Sequence, residues 1–125
     1  MEDNLKVLVV DDSKTMLLRA SLMLKKNGFI PVTMSEALDV LETIKREKVA
    51  VVILDVEMPG ITGYQLCDMI KNDDETEDIP VIFFTSRDEY MDRLRGYSLG
   101  AQGYLVKDCD EDEFIGTIKK LLSEK

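Results

Sequence analysis

Three aspartates and a lysine carry the chemistry open to this chain, and each follows the end of an apolar run. Asp11 and Asp12 close Val7-Leu8-Val9-Val10, Asp55 closes Ala50-Val51-Val52-Ile53-Leu54, and Lys107 closes Tyr104-Leu105-Val106. A fourth run, Val81-Ile82-Phe83-Phe84, ends in the hydroxyl pair Thr85-Ser86. Gathered at one point, three carboxylates would repel one another, so the cluster is costly as structure and natural as a site for a hard divalent cation such as Mg²⁺. A carboxylate can also attack phosphorus and form an aspartyl-phosphate. Asp55 is the candidate nucleophile, Asp11 and Asp12 are candidate metal ligands, Thr85 is a candidate hydroxyl donor and Lys107 a candidate cation for phosphoryl oxygens. Phosphoryl transfer depends chiefly on positioning and charge neutralisation, which such a set supplies. Singly, each has a plainer reading: Asp12 as a helix cap, Thr85 as a strand-end hydroxyl, Lys107 as a solvated loop charge.

Composition narrows the field. The 125 residues include no histidine, which removes imidazole metal sites and the Ser-His-Asp arrangement. A net charge of −9 disfavours nucleic acid and anionic membranes as direct partners. Much of the acid lies in 73–78 and 108–113, which read as a solvated loop and a helix start. The two cysteines, Cys67 and Cys109, form no CxxC pair and read as reduced thiols without a role. No apolar stretch is long enough to span a bilayer and the first residues lack signal-peptide character, so the expectation is a soluble, cytoplasmic protein.

The elements that must position these groups alternate five times between strand and helix patterns. Strands are expected at Lys6–Val10, Ile30–Met34, 50–54, Val81–Thr85 and 104–106. Their continuous apolar runs suit parallel strands covered on both faces, while Pro31 places the second at an edge. The first helix is expected over Lys14–Lys26, stopping at Asn27-Gly28. The second is expected over 36–46 behind an Ser35 cap, the third and fourth behind Thr62-x-x-Gln65 and Ser86-x-x-Glu89. Gly100 should end the fourth helix and Asp110-x-x-Glu113 open the fifth. Five βα units predict a doubly wound α/β fold with a five-stranded parallel sheet in the order 2-1-3-4-5. Its topological switch point lies between strands one and three, where Asp11, Asp12 and Asp55 meet.

This ordered set resembles the bacterial response-regulator receiver domain. The resemblance rests on Asp11-Asp12 after strand one, on Leu54-Asp55-Val56-Glu57-Met58-Pro59-Gly60 with Gly63 following, on Thr85-Ser86, and on Gly100-Ala101-Gln102-Gly103-Tyr104-Leu105-Val106-Lys107. It covers essentially the whole chain, residues 1–125, and implies a flavodoxin-like receiver domain in a two-component phosphorelay. It implies that Asp55 accepts a phosphoryl group from a phosphohistidine on a sensor histidine kinase or histidine phosphotransfer protein. Mg²⁺, or Mn²⁺ in its place, would be held by Asp12 and Asp55, by Asp11 directly or through water, and by the backbone carbonyl of Glu57. Thr85 and Lys107 would bind phosphoryl oxygens, and Thr85 with Tyr104 would form the switch. Beyond self-phosphorylation and autodephosphorylation no enzymatic activity is expected. One departure stands out: Asp108 follows Lys107 where the family usually has proline after a cis bond. A trans Lys107–Asp108 bond and some displacement of the lysine loop are therefore expected.

Two surfaces are candidates for partners. Leu18 and Leu22 lie four residues apart opposite the core face of the first helix, flanked by Lys14 and Lys25, and suit docking of the phosphodonor. Tyr90 and Tyr97 share a face of the fourth helix. With Tyr104 they are expected near the surface of helix four, strand five and helix five, which in the family carries output through a target protein, an effector domain or a phosphorylation-dependent dimer. The chain reads either as a single-domain regulator or as the receiver part of a longer one. Competing readings are a receiver-fold scaffold that never uses its phosphate site, an aspartate-nucleophile phosphatase, and a flavodoxin-like nucleotide carrier. The DxDxT spacing of the phosphatases does not fit Asp11-Asp12-Ser13-Lys14-Thr15, and a carrier's first loop should offer hydroxyls and glycines, not two carboxylates.

Overall fold

The computed structural model describes residues 5–124. In chain order the elements are β1 (Lys6–Val10), α1 (Lys14–Lys26), β2 (Ile30–Met34), α2 (Val40–Glu47), β3 (Val51–Leu54), α3 (Gly63–Lys71), β4 (Val81–Thr85), α4 (Tyr90–Ser98), β5 (Gly103–Val106) and α5 (Glu111–Ser123). The strands pair in parallel in the order β2-β1-β3-β4-β5, as the alternating pattern predicts. β2, with Pro31 opposite Val7, is an edge strand, where a missing N–H disturbs least.

Successive strand residues point to opposite faces, and both faces are covered, which is why the runs are apolar throughout. Leu8, Val10, Val52, Leu54, Val81 and Phe83 pack with Ile44 of α2 and Leu66 and Ile70 of α3. Val7, Val9, Val51, Ile53, Ile82 and Phe84 pack with Ala20 and Leu24 of α1 and Phe114 and Ile118 of α5. Among the described residues, no helix is long and apolar enough to cross a membrane.

Helix ends explain most boundary differences. Ser13, not Asp12, caps α1 by accepting the Met16 N–H. This frees Asp12 from the capping role. Thr62 and Gln65 form the expected reciprocal box on α3, Asp110 accepts the Glu113 N–H at the start of α5, and Gly28 closes α1 at φ 87°. Two starts move. α2 begins at Val40 rather than near 36, because the Val40 N–H finds a partner in the Ala37 carbonyl and the chain makes a turn first. α4 begins at Tyr90 with Glu89 as cap: the Asp92 carboxylate takes the Glu89 N–H, and the Arg87 N–H is already held by Thr85.

Candidate functional site

The sheet itself places the chemistry. The Asp11 N–H donates to the Met34 carbonyl at 3.1 Å, the Asp55 N–H to Val10 at 3.0 Å, and the Lys107 N–H to Thr85 at 2.9 Å. Each residue is thus the continuation of a rung at the carboxyl edge of its strand, and Thr85 is the last residue of β4. All the groups selected from sequence at these strand ends come to one edge.

Asp11, Asp12 and Asp55 each offer a carboxylate oxygen, and these oxygens lie within 4.8 Å of one another. Asp11 and Asp55 are buried, at 2% and 5% exposure, whereas Asp12 faces solvent. The Asp11 carboxylate divides its work: one oxygen accepts the Ser13 N–H at 2.9 Å, and the other meets the Lys107 ammonium at 2.9 Å. The same ammonium donates to Asp55 at 3.0 Å. One cation therefore faces three acids, so the cluster keeps a surplus of negative charge that a hard divalent ion would neutralise. An open side at Asp12 leaves room for the waters such an ion retains.

The electrostatics reflect that imbalance. Burial pushes the Asp11 carboxyl above its ordinary range, and the Asp55 charge adds to the effect, against the opposing hydrogen bonds from Lys107 and Ser13. For Lys107 burial works against the charge, but the hydrogen bonds and charges of Asp11 and Asp55 outweigh it and raise the amine. Burial sets the direction for Asp11, and the two acids set it for Lys107.

The lysine loop answers the proline question. Among the described residues there is no cis peptide bond, so the Lys107–Asp108 bond is trans as expected. The expected displacement does not reach the ammonium, which contacts both buried acids.

Thr85 is wholly buried, and its hydroxyl oxygen accepts the Arg87 N–H at 3.3 Å. Arg87 extends its guanidinium to Asp92 at 3.2 Å and to the Glu57 side chain at 3.5 Å. Tyr104 requires a correction. It was expected near the surface with Tyr90 and Tyr97, but its ring is buried at 5% exposure, 5.9 Å from the Phe83 ring. Tyr104 packs on the face of the sheet covered by α2 and α3, where α4 presents Gly96; a Cβ there would press on the Phe83 and Tyr104 rings at 3.0 and 3.2 Å. Burial, followed by interaction with Tyr64, raises its phenol. Tyr90 and Tyr97 are exposed as expected.

Leu18 and Leu22 are also exposed, at 61% and 59%, and line a shallow groove with Met23 and Glu111. Gly63, part of the motif around Asp55, sits at a close approach between α3 and the Asp55 backbone. A Cβ at this first residue of α3 would lie 1.9 Å from the Asp55 carbonyl oxygen. No periodicity or capping signal carries that information.

Comparison with known proteins agrees with this geometry. Residues 7–119 match the family described as response regulator receiver domain. Protein PilG of Pseudomonas aeruginosa is 38% identical over 117 residues, covering 94% of this chain and 87% of PilG. Protein PilH of the same organism is 36% identical over 118 residues, covering 94% of this chain and 98% of PilH. The chemotaxis protein CheY4 of Vibrio cholerae superposes with a TM-score of 0.87 at 26% identity, over 94% of this chain and 98% of that one. The BeF3-activated N-terminal receiver domain of RstA from Klebsiella pneumoniae gives 0.87 at 25% identity, over 94% and 97%. With five parallel strands in 2-1-3-4-5 order and a family match running through all of them, the chain belongs to the response regulator receiver domains of two-component signal transduction.

Proposed function

We propose that residues 1–125 act as one phosphoacceptor receiver domain, with Asp55 as the acceptor. A carboxylate oxygen of Asp55 forms a new P–O bond to the phosphorus of a partner's phosphohistidine. The P–N bond breaks, and the imidazole nitrogen leaves with the bonding electron pair and is then protonated from solvent. Loss of the group is hydrolytic: water attacks phosphorus, the aspartyl P–O bond breaks with its electron pair returning to the carboxylate, and inorganic phosphate leaves. Beyond this the domain signals rather than turns over substrate.

The residues fit a divalent ion. Asp11, Asp12, Asp55 and the backbone carbonyl of Glu57 would hold Mg²⁺, or Mn²⁺ in its place, and the ion would supply charge neutralisation at the phosphoryl oxygens. The chain's own groups do the rest. Lys107, already 3.0 Å from the Asp55 carboxylate, pairs with the charge that arrives there. Thr85 offers a hydroxyl donor, and Asp11 keeps Lys107 charged and aimed. The donor is a sensor histidine kinase or a histidine phosphotransfer protein, docking along Leu18 and Leu22. The output passes through α4, β5 and α5 to a target protein, an effector domain or a second copy. PilG, PilH and the BeF3-activated RstA receiver support the reading by similarity.

The single observation that carries it is the Lys107 ammonium bridging the two buried aspartates at one sheet edge, 2.9 and 3.0 Å away. The test is incubation with Mg²⁺ and a small phosphodonor, followed by intact mass. A hydroxylamine-sensitive phosphoryl adduct is expected in the wild type and not in Asp55→Asn. An adduct that persists in Asp55→Asn, or none in the wild type, overturns the proposal.

A further inference from the structure

Lys107 sits at the start of a turn that has no ring to stiffen it. The Cys109 N–H closes this turn on the Val106 carbonyl at 2.9 Å, and Asp108 lies exposed at its tip. What grips the turn from outside is Arg19, from the middle of α1. Its Nη1 donates to the Lys107 carbonyl at 2.6 Å and its Nη2 to the Cys109 carbonyl at 2.9 Å. The guanidinium also lies 6.0 Å over the Phe84 ring of β4. A planar fork satisfying two carbonyls two residues apart fixes both the position and the orientation of the segment between them, which a single ammonium cannot do.

We infer that Arg19 is a positioning residue for Lys107, replacing with a side-chain clamp the rigidity the turn lacks in its own backbone. The Lys107 residue is held on both sides: its N–H by the Thr85 carbonyl and its C=O by Arg19. With the backbone fixed at both groups, the side chain leaves toward Asp11 and Asp55 from a constant origin. Sub-ångström displacement of a group serving phosphoryl transfer is costly to rate, so a clamp on its backbone has a kinetic consequence. Arg19 touches none of the reacting atoms. It does line the groove beside Leu18 and Leu22, so the clamp and the proposed donor-docking face share one helix.

The kinetic part rests on the phosphoacceptor reading, whereas the clamp itself does not, and the experiment separates them. Backbone amide exchange is measured by NMR for wild type, Arg19→Met and Arg19→Lys. In Arg19→Met the Lys107 and Cys109 amides are expected to exchange about tenfold faster through local opening, with the Asp55 amide unchanged. The rate of phosphorylation by phosphoramidate with Mg²⁺ should fall about tenfold in Arg19→Met and by less in Arg19→Lys, which keeps one donor group. In a Lys107→Met background, adding Arg19→Met should cost nothing more, as expected when two residues act through one group. Unchanged exchange at Lys107 and Cys109, or an equal loss of rate with and without Lys107, overturns the inference. If Arg19→Met does not fold, Arg19→Lys carries the same comparison. Faster exchange in a protein that never takes a phosphoryl group would sustain the clamp and overturn the phosphoacceptor reading instead.

Discussion

Thr85 and Tyr104 hold the same residue from its two backbone groups. The Arg87 N–H donates to the Thr85 hydroxyl oxygen at 3.3 Å, and the Arg87 carbonyl accepts the Tyr104 hydroxyl at 2.9 Å. Any movement of Thr85 toward a phosphoryl group on Asp55 gives up the first of these bonds and loosens the anchor of the second. On the phosphoacceptor reading proposed above, the loop before α4 would link the site to the surface bearing Tyr90 and Tyr97, as a two-state arrangement biased by local charge. Tyr104→Phe removes one hydrogen bond while keeping the ring in its pocket. It is expected to lower unfolding free energy by about 1 kcal/mol, and to broaden or shift the Arg87 to Glu89 amide signals. Urea denaturation with an amide spectrum checks both; an unperturbed loop would remove Tyr104 from the switch.

Gly63 lies directly beneath the backbone of Asp55. The atom that an added methyl would meet is the Asp55 carbonyl oxygen, at 1.9 Å, not the flexible end of a side chain. Relief requires moving either α3 or the Asp55 backbone. Gly63→Ala is expected to destabilise the protein by more than about 2 kcal/mol, and to slow phosphorylation by a small donor. Unfolding free energy and adduct formation at a temperature where the variant stays folded measure the two effects separately.

How much of this was legible in the sequence depends on the range of the forces involved. The apolar runs ending in Asp11, Asp55 and Thr85 report a doubly covered sheet and its carboxyl edge, because burial imposes a pattern along the chain. Thr62 with Gln65 and Asp110 with Glu113 report helix starts, because capping is local. The start of α4 did not read out from Ser86, since the Arg87 N–H is taken by Thr85 and the cap passes to Glu89. Tyr104 did not read as buried, since the space for its ring is created by Gly96 on another element. Nothing in the sequence singles out Arg19. Its partners are carbonyls 88 and 90 residues away, and backbone acceptors leave no trace in residue type.

Asp11 should trade stability for function. Burial is the chief cause that raises its carboxyl above the ordinary range. A carboxyl raised in this way binds its proton more tightly when folded than when unfolded. Its contribution therefore favours the folded state in acid and is lost as pH climbs from the unfolded value through the folded one. At neutral pH the ionised group is a net cost. Asp11→Asn keeps an oxygen for the Ser13 N–H and discards the charge, while Lys107 retains Asp55. Without divalent ions at pH 7 the variant is expected to be more stable than wild type by about 1 kcal/mol, with the gap closing toward pH 4. Added Mg²⁺ should reverse the order, because ligand binding stabilises only the chain that holds the ion well. Denaturation curves at two pH values, with and without Mg²⁺, decide it; a variant less stable than wild type at pH 7 without metal would show that the Lys107 pair outweighs the burial.

On the proposed reading, variants at Leu18 and Leu22 separate donor docking from chemistry. Both side chains stand in solvent on the outer face of α1, while Ala20, Met23 and Leu24 fill the core side. Replacing both with alanine removes apolar surface without opening a cavity, and alanine is the better helix former, so stability should change by less than about 0.5 kcal/mol. The acids, Thr85 and Lys107 are untouched, and phosphorylation by a small donor should match wild type. Transfer from a phosphohistidine protein should differ, since a few buried apolar anchors carry most of the free energy of protein interfaces. The double variant is expected to slow that transfer by about tenfold or more at subsaturating donor, through a weaker complex rather than a slower chemical step. Rates measured against donor concentration distinguish the two, and an unchanged concentration dependence would move the docking site off this face of α1.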